Sequence, residues 1–155
     1  MLGDDLRGDE HRSGLDEDTV KSISLALING LVALHDNEIV HRDIKPHNIL
    51  RCDDVWKIAD FGISKRISKP VTGYTFQGAH TAPWAPPEQI AGKPADPSAD
   101  IYSVGQVIAF LLTGKVKDNI QSVPRNWRDV VQRCIAYDPA KRPDIKQLRE
   151  EIEGM

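Results

Sequence analysis

From residue 20 onward the apolar positions of this chain fall into a few distinct rhythms. Val20, Ile23, Leu27, Leu31 and Leu34 stand three, four or seven residues apart, the spacing that lines up side chains on one face of an α-helix. With Asp18 as the N-cap, this pattern predicts a helix over 19–35, stopped by Asp36 and Asn37. Two short apolar pieces, "NIL" and "VWKIA", then flank the turn "RCDD". They predict a small β-hairpin with a polar loop on either side. Residues 60–97 show no period and hold six of the ten prolines, with glycines at 62, 73, 78 and 92. A loop that long inside a compact domain is uncommon and is usually functional. The run "SADIYSVGQVIAFLLTG" is apolar nearly all round, so it predicts a helix buried on every side and ended by Gly114. Two amphipathic helices follow, one from Pro124 with Trp127, Val130, Val131, Cys134 and Ile135 inward, the other from Asp144 with Ile145, Leu148 and Ile152.

A chain of 155 residues suits one domain with a sizeable core. Residues 1–18 are acidic and punctuated by glycine, with only Leu2, Leu6 and Leu15 to bury. They are set apart as an N-terminal segment, and residues 19–155 as the folded unit. The formal net charge is -3, from 20 basic and 23 acidic residues. No broad cationic field exists to hold nucleic acid or an anionic membrane, so any polyanion bound is small. The longest apolar run, "VIAFLL", is far too short for a bilayer span, and the N-terminus lacks a basic-then-apolar leader pattern. Cys52 and Cys134 lie far apart without metal-ligand spacing, the pattern of free thiols in a reducing, cytoplasmic setting. His35 and His47 are expected as surface polar groups, since neither stands at ligand spacing from another His or Cys.

The densest chemistry lies in "HRDIKPHNIL", residues 41–50, and in the "ADFG" that follows the second strand. The Asn48 amide and the Asp60 carboxylate are hard oxygen donors that suit Mg²⁺, an ion that takes few protein ligands and completes its shell with phosphate oxygens and water. Asp43 is then free to orient a nucleophile, and Lys45 can offset charge developing on a transferring group. Together these residue types describe metal-assisted phosphoryl transfer, in which positioning and electrostatics do most of the catalysis.

At these residues the chain resembles the protein kinases. "HRDIKPHN" is similar to their catalytic loop and "DFG" to their metal-binding motif. Similarity continues through "TAPWAPPEQ", "DIYSVG" and "DPAKRPD", and covers roughly residues 15–153. The resemblance implies a mainly α, kinase-like large C-terminal lobe, a helical bundle with a short hairpin carrying the two loops. It implies Asp43 as catalytic base, Asn48 and Asp60 as Mg²⁺ ligands with Mn²⁺ as an alternative ion, Lys45 at the ATP γ-phosphate, and Leu50 as the floor under the adenine. Thr81, seven residues before Glu88, matches the threonine that bridges Asp43 and Lys45. Lys45 marks the serine/threonine type, with protein hydroxyls as substrates. The resemblance makes His41, Phe61 and Gly62 structural, with His41 and Phe61 stacked and resting on Asp100. It pairs Glu88 with Arg142 inside the fold. It gives Arg42 to a loop switched by phosphorylation, with Ser68, Thr72 and Thr75 as candidate acceptors in an activation segment over 60–88. The chain departs from the family pattern at Pro86-Pro87-Glu88, where Ala-Pro-Glu is usual, and at Trp84, where tyrosine is usual.

Other parts of a kinase are not found in the sequence. Gly3, Gly8 and Gly14 do not form G-x-G-x-x-G, and no V-A-I-K-like strand precedes His41. The expectation is a large lobe whose small lobe comes from elsewhere, including a partner chain, and whose activity alone is low. Two other functions share these residues: a non-catalytic half-kinase binding module, and a small-molecule phosphotransferase. Lys45, Thr81 and Glu88 favour protein substrates over the latter.

Overall fold

A computed structural model of the chain describes residues 14–62, 64–67, 83–116 and 120–155. In order, the regular elements are helix α1 (Glu17–His35), strands β1 (Ile39–Val40), β2 (Ile49–Cys52), β3 (Val55–Ile58) and β4 (Lys65–Arg66), then helices α2 (Pro87–Ile90), α3 (Ser98–Thr113), α4 (Arg125–Cys134) and α5 (Ile145–Glu153). Short 3₁₀ turns at Pro46–Asn48, Ile120–Ser122 and Pro139–Lys141 join them. The helices form the body of the fold, and the strands are a small attachment that holds loops.

The first helix starts two residues before its predicted position, because Asp16 and not Asp18 is the cap. The Asp16 carboxylate accepts from the Thr19 backbone N–H at 2.9 Å and from its hydroxyl at 2.7 Å. Asp18 lies with Glu17 in the first turn, where negative side chains favour the helix dipole. The buried stripe of Val20, Ile23, Leu27, Ile28 and Leu31 packs against α3 and α5. Helix α5 opens with a capping box in which Asp144 and Gln147 satisfy each other's backbone amides. Both amphipathic helices thus begin where the sequence placed them, at Pro124 and Asp144.

Helix α3 runs through the centre with no exposed residue, as its all-round apolar sequence predicted. Gly114, with φ 69°, ends it in the left-handed conformation. Midway, Gly105 lets α4 come close. A Cβ built there would sit 2.5 Å from the Cys134 Cβ and 2.9 Å from the Ile135 Cγ2. Trp84 is buried with its ring edge-on to Phe110 at 5.5 Å between centroids. The indole therefore fills core volume on α3.

The strands explain how two loops come to lie together. β2 and β3 form the predicted antiparallel hairpin, with Ile49 opposite Ile58 and Cys52 opposite Val55. Its two-residue turn, Asp53-Asp54, has φ 49° and 61°, the left-handed pair that matches strand twist and that Asp tolerates. β4 was not anticipated within the aperiodic region, and neither was α2. β4 pairs with β1, Ile39 opposite Arg66 and Val40 opposite Lys65. A two-residue ladder and a four-residue helix are too short to show a period. The chain thus leaves β1 for the 41–48 loop and enters β2, and the residues described between β3 and β4 are 59–62 and 64. Paired strands grip both loops at both ends. Among the described residues no helix is long and apolar enough to cross a membrane.

The close approach of α3 and α4 makes a test of this packing. Gly105→Ala is expected to lower stability by about 1–3 kcal/mol through overpacking, read as a lower midpoint in chemical denaturation. An unchanged midpoint would show that α4 can move away at no cost.

Candidate active site

The loop after β1 is irregular and largely buried, so its backbone polar groups need partners outside any helix or sheet ladder. Side chains provide them. The Asp100 carboxylate accepts from the His41 N–H at 2.9 Å and from the Arg42 N–H at 2.8 Å. The Ser64 hydroxyl donates to the His41 carbonyl at 3.2 Å, and the Gln89 amide donates to the Arg42 carbonyl at 2.8 Å. The Asp43 N–H meets the His41 Nδ1 at 3.3 Å, and the Asn48 amide donates to the Asp43 carbonyl at 2.8 Å. Six backbone groups of three successive residues are thereby held. Arg42 takes φ 71°, which costs a non-glycine residue about 1–3 kcal/mol. The six bonds hold it there.

Within this frame the candidate side chains converge. The Lys45 Nζ lies 2.7 Å from the Asp43 Oδ2, and the Asn48 Nδ2 lies 3.0 Å from the same oxygen. A carboxylate, an ammonium and an amide share one point. Asn48 is buried, and its amide nitrogen is committed to Asp43, so only its oxygen can serve a cation. The Ala59 N–H donates to the Asn48 backbone carbonyl at 2.8 Å, tying the "DFG" loop to this asparagine. Asp60 has φ 61° and is exposed, and its carboxylate accepts from the Gly62 N–H at 3.0 Å. Phe61 sets its ring edge-on to His41 with centroids 5.1 Å apart, and is half exposed on its other side. Its support is thus His41, while the bonds to Asp100 come from the backbone of His41 and Arg42. Leu50 is half-buried on β2.

His41 itself is fully buried. Burial pushes its imidazole below the usual 6.5, against the opposing pull of Asp100. A neutral ring also fits its contacts: Nδ1 accepts from Asp43, and Nε2 donates to the Ala59 carbonyl at 3.2 Å.

His35 corrects the sequence reading. Expected as a surface group, it is only 8% exposed in its side chain, and its Nε2 lies 2.9 Å from the Asp100 Oδ2. The end of α1 therefore braces the same carboxylate that braces the loop. His47 is half-buried and likewise is no free surface group. Ser64 and Gln89 also escaped the sequence reading, since no spacing marks a polar residue that reaches a backbone carbonyl.

Glu88 and Arg142 pair as expected. Nη1 and Nη2 of the guanidinium reach the two carboxylate oxygens at 2.5 and 2.9 Å. Arg142 also donates to the carbonyls of Ala136 and Ser98, and lies over the Tyr102 ring at 5.0 Å. Burial pushes the Cys134 thiol up to about 12, which removes it as a nucleophile. Thr81 and the hydroxyl residues Ser68, Thr72 and Thr75 lie outside the described residues.

The helical body and its paired loops are those of a kinase-like large lobe. The chain belongs to the protein kinase family, whose protein kinase domain model matches residues 2–117. The serine/threonine-protein kinase STY46 of Arabidopsis thaliana is 31% identical, over 87% of this chain and 27% of that protein. The mitogen-activated protein kinase kinase kinase 12 of Rattus norvegicus is 33% identical, over 81% of this chain and 16% of its own length. The probable serine/threonine-protein kinase PkwA of Thermomonospora curvata is 28% identical, over 91% and 21%. The chain thus spans well under a third of the length of each of these three relatives.

Two outcomes follow from the site's supports. Arg142→Ala strands a buried carboxylate at Glu88 and is expected to destabilise the fold by about 3–5 kcal/mol in urea unfolding, while Lys141→Ala, at an exposed neighbour, leaves it unchanged. Because the His41 pKa is lowered on folding, the unfolded chain takes up this proton first as pH falls below 6.5. Stability should therefore decline on the acid side of that value. His41→Gln should flatten the decline over the same interval, whatever it costs at pH 8.

Proposed function

We propose that this chain is the large-lobe part of a serine/threonine protein kinase, transferring the γ-phosphoryl group of ATP to a hydroxyl of a protein substrate. The carboxylate of Asp43, held between the Lys45 ammonium and the Asn48 amide on one fixed loop, carries the reading. A substrate hydroxyl hydrogen-bonds to this carboxylate, which orients the oxygen for attack and accepts its proton. Lys45, 2.7 Å away, places positive charge where negative charge develops. Its match to the serine/threonine pattern and the likeness to two serine/threonine-protein kinases support that substrate type.

The donor set fits a magnesium nucleotide. Asn48 offers an amide oxygen and Asp60 an exposed carboxylate from the loop tied to it, the few hard oxygen ligands that Mg²⁺ takes from protein. Bound there, the ion would neutralise phosphate charge. Leu50, half-buried on β2, is the residue this reading sets under the base. The glycine-rich cover and the strand lysine are to be supplied by a small lobe, in the same polypeptide or in a partner chain.

The proposal is tested with the chain joined to a kinase small lobe. Asp43→Asn should lower phosphoryl transfer to serine/threonine peptides by about 10²–10⁴-fold, the usual range for a general base, with ATP affinity nearly unchanged in calorimetry. Equal losses of affinity and turnover would assign Asp43 to nucleotide binding instead. Transfer only to small-molecule hydroxyls would favour the related phosphotransferase reading.

A further inference from the structure

The bond from Gln89 to the loop has no counterpart in the roles assigned so far. Gln89 lies on α2, 5% exposed, and its Nε2 donates to the Arg42 carbonyl at 2.8 Å. That carbonyl belongs to the peptide unit joining Arg42 to Asp43. The unit is planar, so its C=O and the Asp43 N–H turn together. On the opposite edge of the same plane, the Asp43 N–H meets the His41 Nδ1 at 3.3 Å. One peptide is thus gripped from both sides by side chains, one from α2 and one from the loop itself. Rotation of that plane would change ψ of Arg42, already left-handed at φ 71°, and would swing the Asp43 carboxylate off Lys45 and Asn48. The preceding residue on α2, Glu88, is fixed to Arg142 by a buried pair. The short helix is therefore anchored to the far end of the fold on one residue and to the loop on the next.

We infer that Gln89 is a positioning residue for Asp43, setting the plane of the Arg42–Asp43 peptide and passing the seating of α2 to the orientation of the Asp43 carboxylate. The catalytic meaning of that orientation rests on the function proposed above. The clamp itself does not.

The test uses amide hydrogen exchange on the 155-residue chain, followed residue by residue by NMR. Gln89→Met keeps length and apolar fit but has no donor. Protection of the Arg42 and Asp43 amides should fall about tenfold, the scale of one net hydrogen bond, while the core amides of α1 and α5 keep theirs. Unchanged protection at Asp43 would overturn the clamp. Parallel loss in α1 and α5 would reduce Gln89 to a packing residue. Gln89→Glu provides a second reading, since its carboxyl can donate only when protonated. Relative to the parent at the same pH, protection at Arg42 and Asp43 should be low at neutral pH and recover as the carboxyl protonates. Protection in Gln89→Glu that does not vary with pH relative to the parent would also overturn the proposal. Neither readout involves phosphoryl transfer, so a chain that stays inactive when joined to a small lobe would count against the kinase reading and leave this result standing.

Discussion

A buried loop without helix or ladder must find a partner for each of its polar backbone groups, and this requirement governs the arrangement around Asp100. The carboxylate has no exposure, and a buried anion is tolerated only where donors surround it. It meets the backbone N–H groups of His41 and Arg42 and the ring of His35. Three parts of the fold therefore converge on one side chain: the end of α1, the start of α3 that bears it, and the loop. Asp100 is a residue of structure whose effect is felt one peptide away, at the Asp43 carboxylate.

The same logic accounts for the strands. None is longer than four residues, too little sheet to stabilise anything by itself. Their value is geometric. β1 with β4 and β2 with β3 make two clips, and the loops between them are forced side by side, with the Ala59 amide on the Asn48 carbonyl closing the gap. Asn48 then serves both sides, its side chain on Asp43 and its backbone on the second loop. The helical body supplies rigidity through Gly105 and the Glu88–Arg142 pair.

Much of this was legible in the residues. The four helical patterns appear within two residues of their predicted places, because burial on one face or on all faces leaves a period in the sequence. The hairpin was visible in two short apolar runs around "RCDD", and Asp43, Lys45, Asn48 and Asp60 stood out as a dense set of polar residue types, though not the sharing of one Asp43 oxygen by Lys45 and Asn48. Three kinds of feature were not legible. The cap of α1 was misplaced because Asp16 and Asp18 look alike until Thr19 chooses between them. β4 and α2 are shorter than any period. His35, Ser64 and Gln89 act through single bonds to partners 65, 23 and 47 residues away, and nothing local in a sequence records a partner at that distance.

The hairpin turn at Asp53-Asp54 has a consequence for how such a lobe can vary. Both residues are exposed and stand at the far end of the β2–β3 ladder from the two loops. Residues added at the turn would lengthen the tip and leave the pairing of Ile49 with Ile58 in place, so the loops would stay in step. A residue added inside either strand would exchange the two faces of that strand and shift one loop against the other. The turn is thus a neutral place for length change, where a spectroscopic label or a recognition tag could be carried at little cost, and the eight paired residues behind it fix the separation between the 41–48 loop and the loop after β3.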